Sequence, residues 1–167
     1  MKKLYLIFAC LFALQSIAQT SHKATKEITT VLNDWHKAAA TAKYHSYFNA
    51  LDTGAIFIGT DAAENWRKKD FKKFSKPYFD KGKAWAFTPI ERNIYTNTAV
   101  SFAWFDELLN THMGICRGSG VLEKIAGVWK IKHYVLSITI PNAHVEKITK
   151  LNKHKDSIFI AHKKPLN

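Results

Sequence analysis

From Thr25 to about Lys43, apolar residues recur every three or four positions: Ile28, Val31, Leu32, Trp35, Ala39 and Ala42. That spacing predicts an amphipathic helix with one face toward a core. Tyr44 to Leu51 reads as a short second helix, broken around Asp52-Thr53-Gly54. Ala55-Ile56-Phe57-Ile58 is a compact apolar run, read as a buried strand. Gly59-Thr60-Asp61 then turns the chain into another helix. Asp61 followed three residues later by Glu64 is a capping-box pattern, and Trp66, Phe71, Phe74 and Tyr78 supply the packed side. Pro77 and Gly82 are expected to close that helix.

Beyond Gly82 the pattern is that of strands. Ala84 to Tyr95, Val100 to Leu108, Ile115 to Ile125 and Val128 to Ile140 form four, with turns at Asn97-Thr98, Asn110-Thr111 and Ala126-Gly127. The sum is an antiparallel meander. Pro89 marks an edge or a bulge, and Gly118 and Gly120 mark a bend that lets the sheet curl. Pro141-Asn142 ends the sheet. Ala143 to about Lys153 reads as a last basic helix with Val145, Ile148 and Leu151 inward. No repeat or linker divides the chain, so residues 25–155 form one domain and 156–167 a basic tail.

The chain opens Met1-Lys2-Lys3, followed by an apolar run from Leu4 to Ala18 that ends Ser16-Ile17-Ala18 before Gln19. A charged start, an apolar stretch too short to span a bilayer comfortably and a small-x-small terminus read as a cleavable signal, residues 1–18. The mature chain is then secreted or periplasmic and carries no membrane-spanning segment. Its one remaining cysteine, Cys116, cannot form an intrachain disulfide and reads as an inert buried thiol. The formal charge is +12, two units of it from Lys2 and Lys3. Much of the rest is local: Arg67, Lys68, Lys69, Lys72, Lys73, Lys76, Lys81 and Lys83 face only Asp70 and Asp80 in sequence. Lysine without arginine forks fits a solvated face, or a docking surface for an acidic partner or membrane. Export argues against nucleic acid.

The order helix, short helix, strand, helix and four antiparallel strands resembles the nuclear transport factor 2-like superfamily. The residues resemble its SnoaL-like branch. The matching segments are Trp35-His36, Gly59-Thr60-Asp61 with Glu64 and Trp66, Phe79 with Gly82 and Trp85, and Ala103 to Glu107. They continue with Arg117 to Leu122, Trp129-Lys130-Ile131, Tyr134 with Leu136-Ser137, and Ile140-Pro141-Asn142. The resemblance implies an α+β, cone-shaped roll, a curved antiparallel sheet of about four main strands plus a short strand wrapped on N-terminal helices. Catalytic members of the superfamily use a carboxylate or histidine at the bottom of an apolar pocket. No signature of that kind transfers to a position here, and the fold also hosts plain binding modules.

The candidate chemistry begins with Asp106, Glu107 and Arg117, charged residues inside apolar strand runs where burial demands a partner. With Asn110 to Met113 as the turn, Asp106 lies almost opposite Arg117, and a register step of one residue substitutes Glu107. The group either ties two strands together or binds a polar ligand head. His133 shares its parity with Trp129, Ile131 and Val135 and is expected inward, as a core imidazole or a proton shuttle; a flipped parity puts Tyr134 there. Asp61 reads first as a cap and second as a pocket-mouth group. Trp66, Trp85 and Trp104 are core or pocket lining. Ser119 lies between glycines without the Gly-x-Ser-x-Gly elbow, which leaves it a ligand contact rather than a nucleophile. The histidines have no metal-ligand spacing, and no cofactor is expected.

Apolar residues on both faces of the last strand predict a homodimer packed through the sheet. The leading expectation is an exported module that binds a small, partly apolar molecule. The alternatives are an isomerase, dehydratase or hydrolase using Asp106 or His133, and a basic docking module.

Overall fold

The computed structural model describes residues 2–163, with side chains at residue 19 and from residue 21 onward. The segment read as a signal therefore lies outside the residues with described side chains, as the end of the tail lies outside the described residues. Helices α1 (Lys2–Ala40) and α2 (Tyr44–Ala50) precede strands β1 (Leu51–Ile58) and β2 (Asn65–Arg67). Helix α3 (Lys68–Asp80) follows, then β3 (Thr88–Thr96), β4 (Phe102–Thr111), β5 (Gly114–Ile125) and β6 (Val128–Ile138). A short 3₁₀ turn, Asn142–His144, leads into α4 (Val145–Ala161).

The helical stripe of α1 is where its spacing placed it: Ala24, Ile28, Leu32, Trp35 and Ala39 are buried against the sheet and α2. They meet an aromatic interior of Tyr47, Phe48, Phe57, Phe71, Phe79 and Tyr134. Phe57 stacks on Phe71 with ring centroids 4.0 Å apart. Trp35 meets the edge of Tyr134 at 4.7 Å. Cys116 is buried and free.

The sheet has six strands in the order β2-β1-β6-β5-β4-β3, rather than four main strands and a short one. It is mixed rather than antiparallel throughout, because β1 runs parallel to β6. The extra strand was hidden by the capping-box residues. Asp61 Oδ1 accepts the Ala63 N–H at 2.8 Å and Glu64 Oε2 accepts the Asp61 N–H at 3.3 Å, so the motif closes the β1–β2 turn. Trp66 then pairs with Phe57 across the two strands. Helix α3 starts only at Lys68 and runs through Pro77, which sits on its exposed side, before Gly82 (φ 80°) turns the chain. Helix α4 is longer than its apolar spacing suggested and extends to Ala161, through the first half of the stretch read as a tail.

Two details of register decide which residues meet and which face inward. The β4–β5 turn is His112-Met113, not Asn110-Thr111: Thr111 Oγ1 accepts the Met113 N–H at 3.0 Å, and Gly114 takes φ 87°. Arg117 consequently pairs with Leu108, while Asp106 pairs with Ser119 and Glu107 with Gly118. In β6, Ile131 pairs with Leu122 and His133 with Val121, which leaves Lys132 as an extra residue. That bulge breaks the two-residue alternation. Trp129 and Ile131 point inward before it, Tyr134 and Leu136 after it, and His133 falls on the outer face.

Candidate functional site

Glu107 is the one carboxylate among the buried side chains described, with no exposed surface. It sits on the inward parity of β4 with Ala103, Phe105 and Leu109. Four donors surround it. His36 Nε2 lies 2.7 Å from Oε1, and the Tyr134 hydroxyl donates to the same oxygen at 3.3 Å. Arg92 donates to Oε2 through Nε at 2.9 Å and Nη2 at 2.6 Å. Its remaining arm donates to Asn33 Oδ1 at 2.8 Å, tying β3 to α1. Burial pushes the Glu107 carboxyl up, but the hydrogen bonds and charges of His36 and Arg92 outweigh it and hold the pKa below the ordinary value. The carboxylate is ionised at neutral pH with its lone pairs occupied, which makes it a poor proton acceptor. Burial, followed by the Glu107 charge, pushes the Tyr134 phenol well above its ordinary range, so it stays a neutral donor.

The depressed pKa has a signed consequence. A carboxylate held below its unfolded value of 4.5 adds stability above that pH and loses it as pH falls through the folded pKa. The melting-temperature gap between wild type and Glu107→Gln should therefore narrow as pH is lowered from about 5 to about 3. Thermal melts across that range read the gap; a constant gap contradicts the assignment.

A separate cavity of about 240 Å³ opens between the end of β1, α3 and the β4–β5 turn. Phe57, Gly59 and Thr60 come from the end of β1, Phe71, Phe74 and Tyr78 from α3, and Trp85 and Phe87 from the segment before β3. His112 and Met113 of the β4–β5 turn and Leu136 of β6 complete the wall, with Glu64 at the rim. Most of this surface is aromatic or aliphatic. Tyr134 links the two features: its ring stacks against Phe57 at 5.6 Å while its hydroxyl holds Glu107.

Of the residues singled out in the sequence, Trp85 lines this cavity directly. Trp66 supports it from behind, stacked on Phe74 at 5.0 Å. Asp61 lies in the adjoining turn and faces a second concavity shared with α4. Glu107 belongs to the buried cluster. Asp106, Arg117 and Ser119 are on the outer face, where Arg117 Nη1 lies 3.5 Å from Asp106 Oδ1 with the two side chains 54% and 33% exposed. Asp106 and Arg117 thus do pair, though diagonally, and not in the cone with Glu107. Trp104 is also outside, 49% exposed and stacked on Tyr95, because the inward parity of β4 falls on its neighbours. His133 is outside for the reason given by the bulge. His36 and Arg92 had not been singled out as partners of Glu107. Their signals were present: His36 stands four residues after Leu32 on the buried stripe, and Arg92 shares the parity of Ile94 in β3.

Among the described residues no three His, Cys, Asp or Glu side chains gather so as to hold a metal ion. No described helix is long and apolar enough to cross a membrane.

The family profile of the SnoaL-like domain matches residues 28–141. The chain belongs to the SnoaL-like family. No curated protein sequence matches it. Among solved structures, an NTF2-like protein of unknown function from Pseudomonas putida KT2440 is similar at TM-score 0.62 and 12% identity, covering 73% of this chain and 91% of that one. A protein of unknown function with a cystatin-like fold from Nostoc punctiforme gives 0.58 and 12%, with 69% and 90% covered. The association domain of Caenorhabditis elegans CaMKII gives 0.58 and 18%, with 71% and 98% covered. At such identities the likeness establishes the fold alone, the cone of the nuclear transport factor 2-like superfamily.

Proposed function

We propose that this SnoaL-like protein is an exported module that binds a small, flat, largely apolar molecule in the cone cavity. The observation that carries the reading is the separation of roles inside the cone. The cavity wall is aromatic, whereas the nearby carboxylate is saturated by four donors and has no capacity left for proton transfer. A concave apolar site with few polar groups suits ligand burial. The apolar run after Lys3 supports export. Trp85 would contact the ligand, and Trp66 would brace the wall through its stacking on Phe74. Titration with neutral N-phenyl-1-naphthylamine tests the reading. Wild type should raise the probe's fluorescence saturably, and Met113→Trp, which fills the mouth, should weaken binding at least about tenfold. Asp106→Asn and His133→Ala should leave it unchanged. Unsaturable fluorescence, or equal binding by Met113→Trp, counts against the cavity.

We also infer that the outer face of the sheet joins two copies of the chain. Tyr95, Trp104, Val121 and His133 form one row across β3 to β6, and Asn93, Asp106, Ser119 and Val135 the next. Exposed aromatic rings amid paired charges have the character of an interface core and rim. One similar structure is an association domain, which fits the same reading. Light scattering at micromolar concentration should give twice the chain mass for wild type and the single mass for Trp104→Lys. A monomeric wild type would remove the inference.

A further inference from the structure

Helix α3 has two unlike flanks. Phe74 and Tyr78 face the cone cavity, while Lys68, Lys69, Lys72, Lys73 and Lys76 line a different concavity of about 540 Å³ with Tyr44 and Thr53. Lys68, Lys72 and Lys76 repeat every fourth residue and Lys69 and Lys73 run beside them, so five ammonium groups fall within about 12 Å of helix. The lining includes no carboxylate. Among the described residues, Lys68, Lys69, Lys72 and Lys73 have no ion-pair partner, and Lys76 has only the exposed Asp80. The neighbouring Asp52 is already taken by Lys132 at 3.0 Å and by the Gly54 N–H at 2.9 Å.

The lysines are also held in place. Lys72 Nζ sits 5.6 Å from the Tyr44 ring centroid and Lys76 Nζ 5.5 Å from it. The Tyr44 hydroxyl donates to the Lys72 carbonyl at 3.1 Å, fastening α2 to α3. Lys68 Nζ donates to the Leu51 carbonyl at 2.7 Å. Burial lowers the Lys68 pKa, the charges of Lys72 and Lys130 lower it further, and the Asp52 carboxylate opposes them only in part.

We propose that the α2–α3 groove is a binding site for a phosphate-rich oligoanion, distinct from the cone cavity and independent of what the cavity holds. Compact ammonium charges serve phosphate oxygens without the planar fork that a single carboxylate favours. A row of five matches several phosphates in a chain better than one. The charges gather on one open concavity of about 540 Å³ rather than along a whole face, which suits a discrete oligoanion.

Calorimetric titration of the full chain with sodium tripolyphosphate tests the site. Wild type should bind one equivalent, with affinity falling as salt is raised. Lys69→Gln/Lys73→Gln should bind at least about tenfold more weakly, and Lys69→Arg/Lys73→Arg should retain binding. Both lysines are exposed and make no described hydrogen bond, so the melting temperature should not change. Lys147→Gln/Lys153→Gln removes the same charge from α4 and should stay within about twofold of wild type. Equal weakening by the α4 variant, or no heat with tripolyphosphate, overturns the proposal. So does lysine-dependent flotation with phosphatidylglycerol vesicles by a protein that ignores tripolyphosphate.

Discussion

Replacing Glu107 with alanine should cost the folded state about 3–5 kcal/mol, the usual penalty for breaking a buried ion pair by removing one partner. The loss is large because the carboxylate is a shared acceptor. Without it, Arg92 keeps a buried guanidinium with only Asn33 to receive a hydrogen bond, and both His36 and Tyr134 lose the oxygen they share. Those donors come from α1, β3 and β6, so one deletion loosens three elements from β4. The adjacent residue is the control. Asp106→Ala removes a partly exposed, 3.5 Å contact with Arg117 and a 3.4 Å hydrogen bond from Asn93, and should change stability by no more than about 1 kcal/mol. Urea denaturation of the two variants reads the difference. Similar losses from both would mean that the carboxylates share one environment, contrary to the assignment of opposite faces.

Gly120→Ala should destabilise by about 3 kcal/mol or more, the upper end for forcing volume into a packed site. A β-carbon there would overlap the His133 carbonyl oxygen and lie 2.8 Å from the Phe105 ring. The first contact is backbone, so relief requires β5 and β6 to separate beside the register shift of His133 and Ile131. Gly118 is tight for a different reason. Its added carbon would meet the Tyr134 hydroxyl and come within 3.0 Å of Glu107, so the missing side chain is the space in which those groups approach. Denaturation midpoints check the prediction; a wild-type midpoint for Gly120→Ala would require a more open β5–β6 pair than the one described.

The legible part of the fold was whatever local periodicity encodes. The stripe from Ile28 to Ala39 and the alternation from Phe102 onward each report their element without help from the rest of the chain. What escaped was non-local or one residue long. Nothing in Leu51 to Ile58 says that it will lie parallel to a strand some 80 residues later. Asp61 and Glu64 satisfy a turn as well as they would a helix start. The unpaired Lys132 reverses the facing of everything after it, which moves His133 out and Tyr134 in. The site was legible to the same extent. Charge inside an apolar strand correctly drew attention to Glu107, Asp106 and Arg117, but the choice among them rests on which parity of β4 faces the core, that of Ala103, Phe105 and Leu109. Arg92 could be recognised as the partner only once β3 was set beside β4.

The cone cavity admits a direct spectroscopic test, because Met113 lies in its wall and the only other methionine in the chain is Met1. Titrating methyl-¹³C-methionine protein with N-phenyl-1-naphthylamine should move the Met113 methyl resonance saturably, through ring current, with the midpoint of the fluorescence titration. Saturable probe fluorescence with an unmoved Met113 methyl would place the molecule elsewhere and contradict the account.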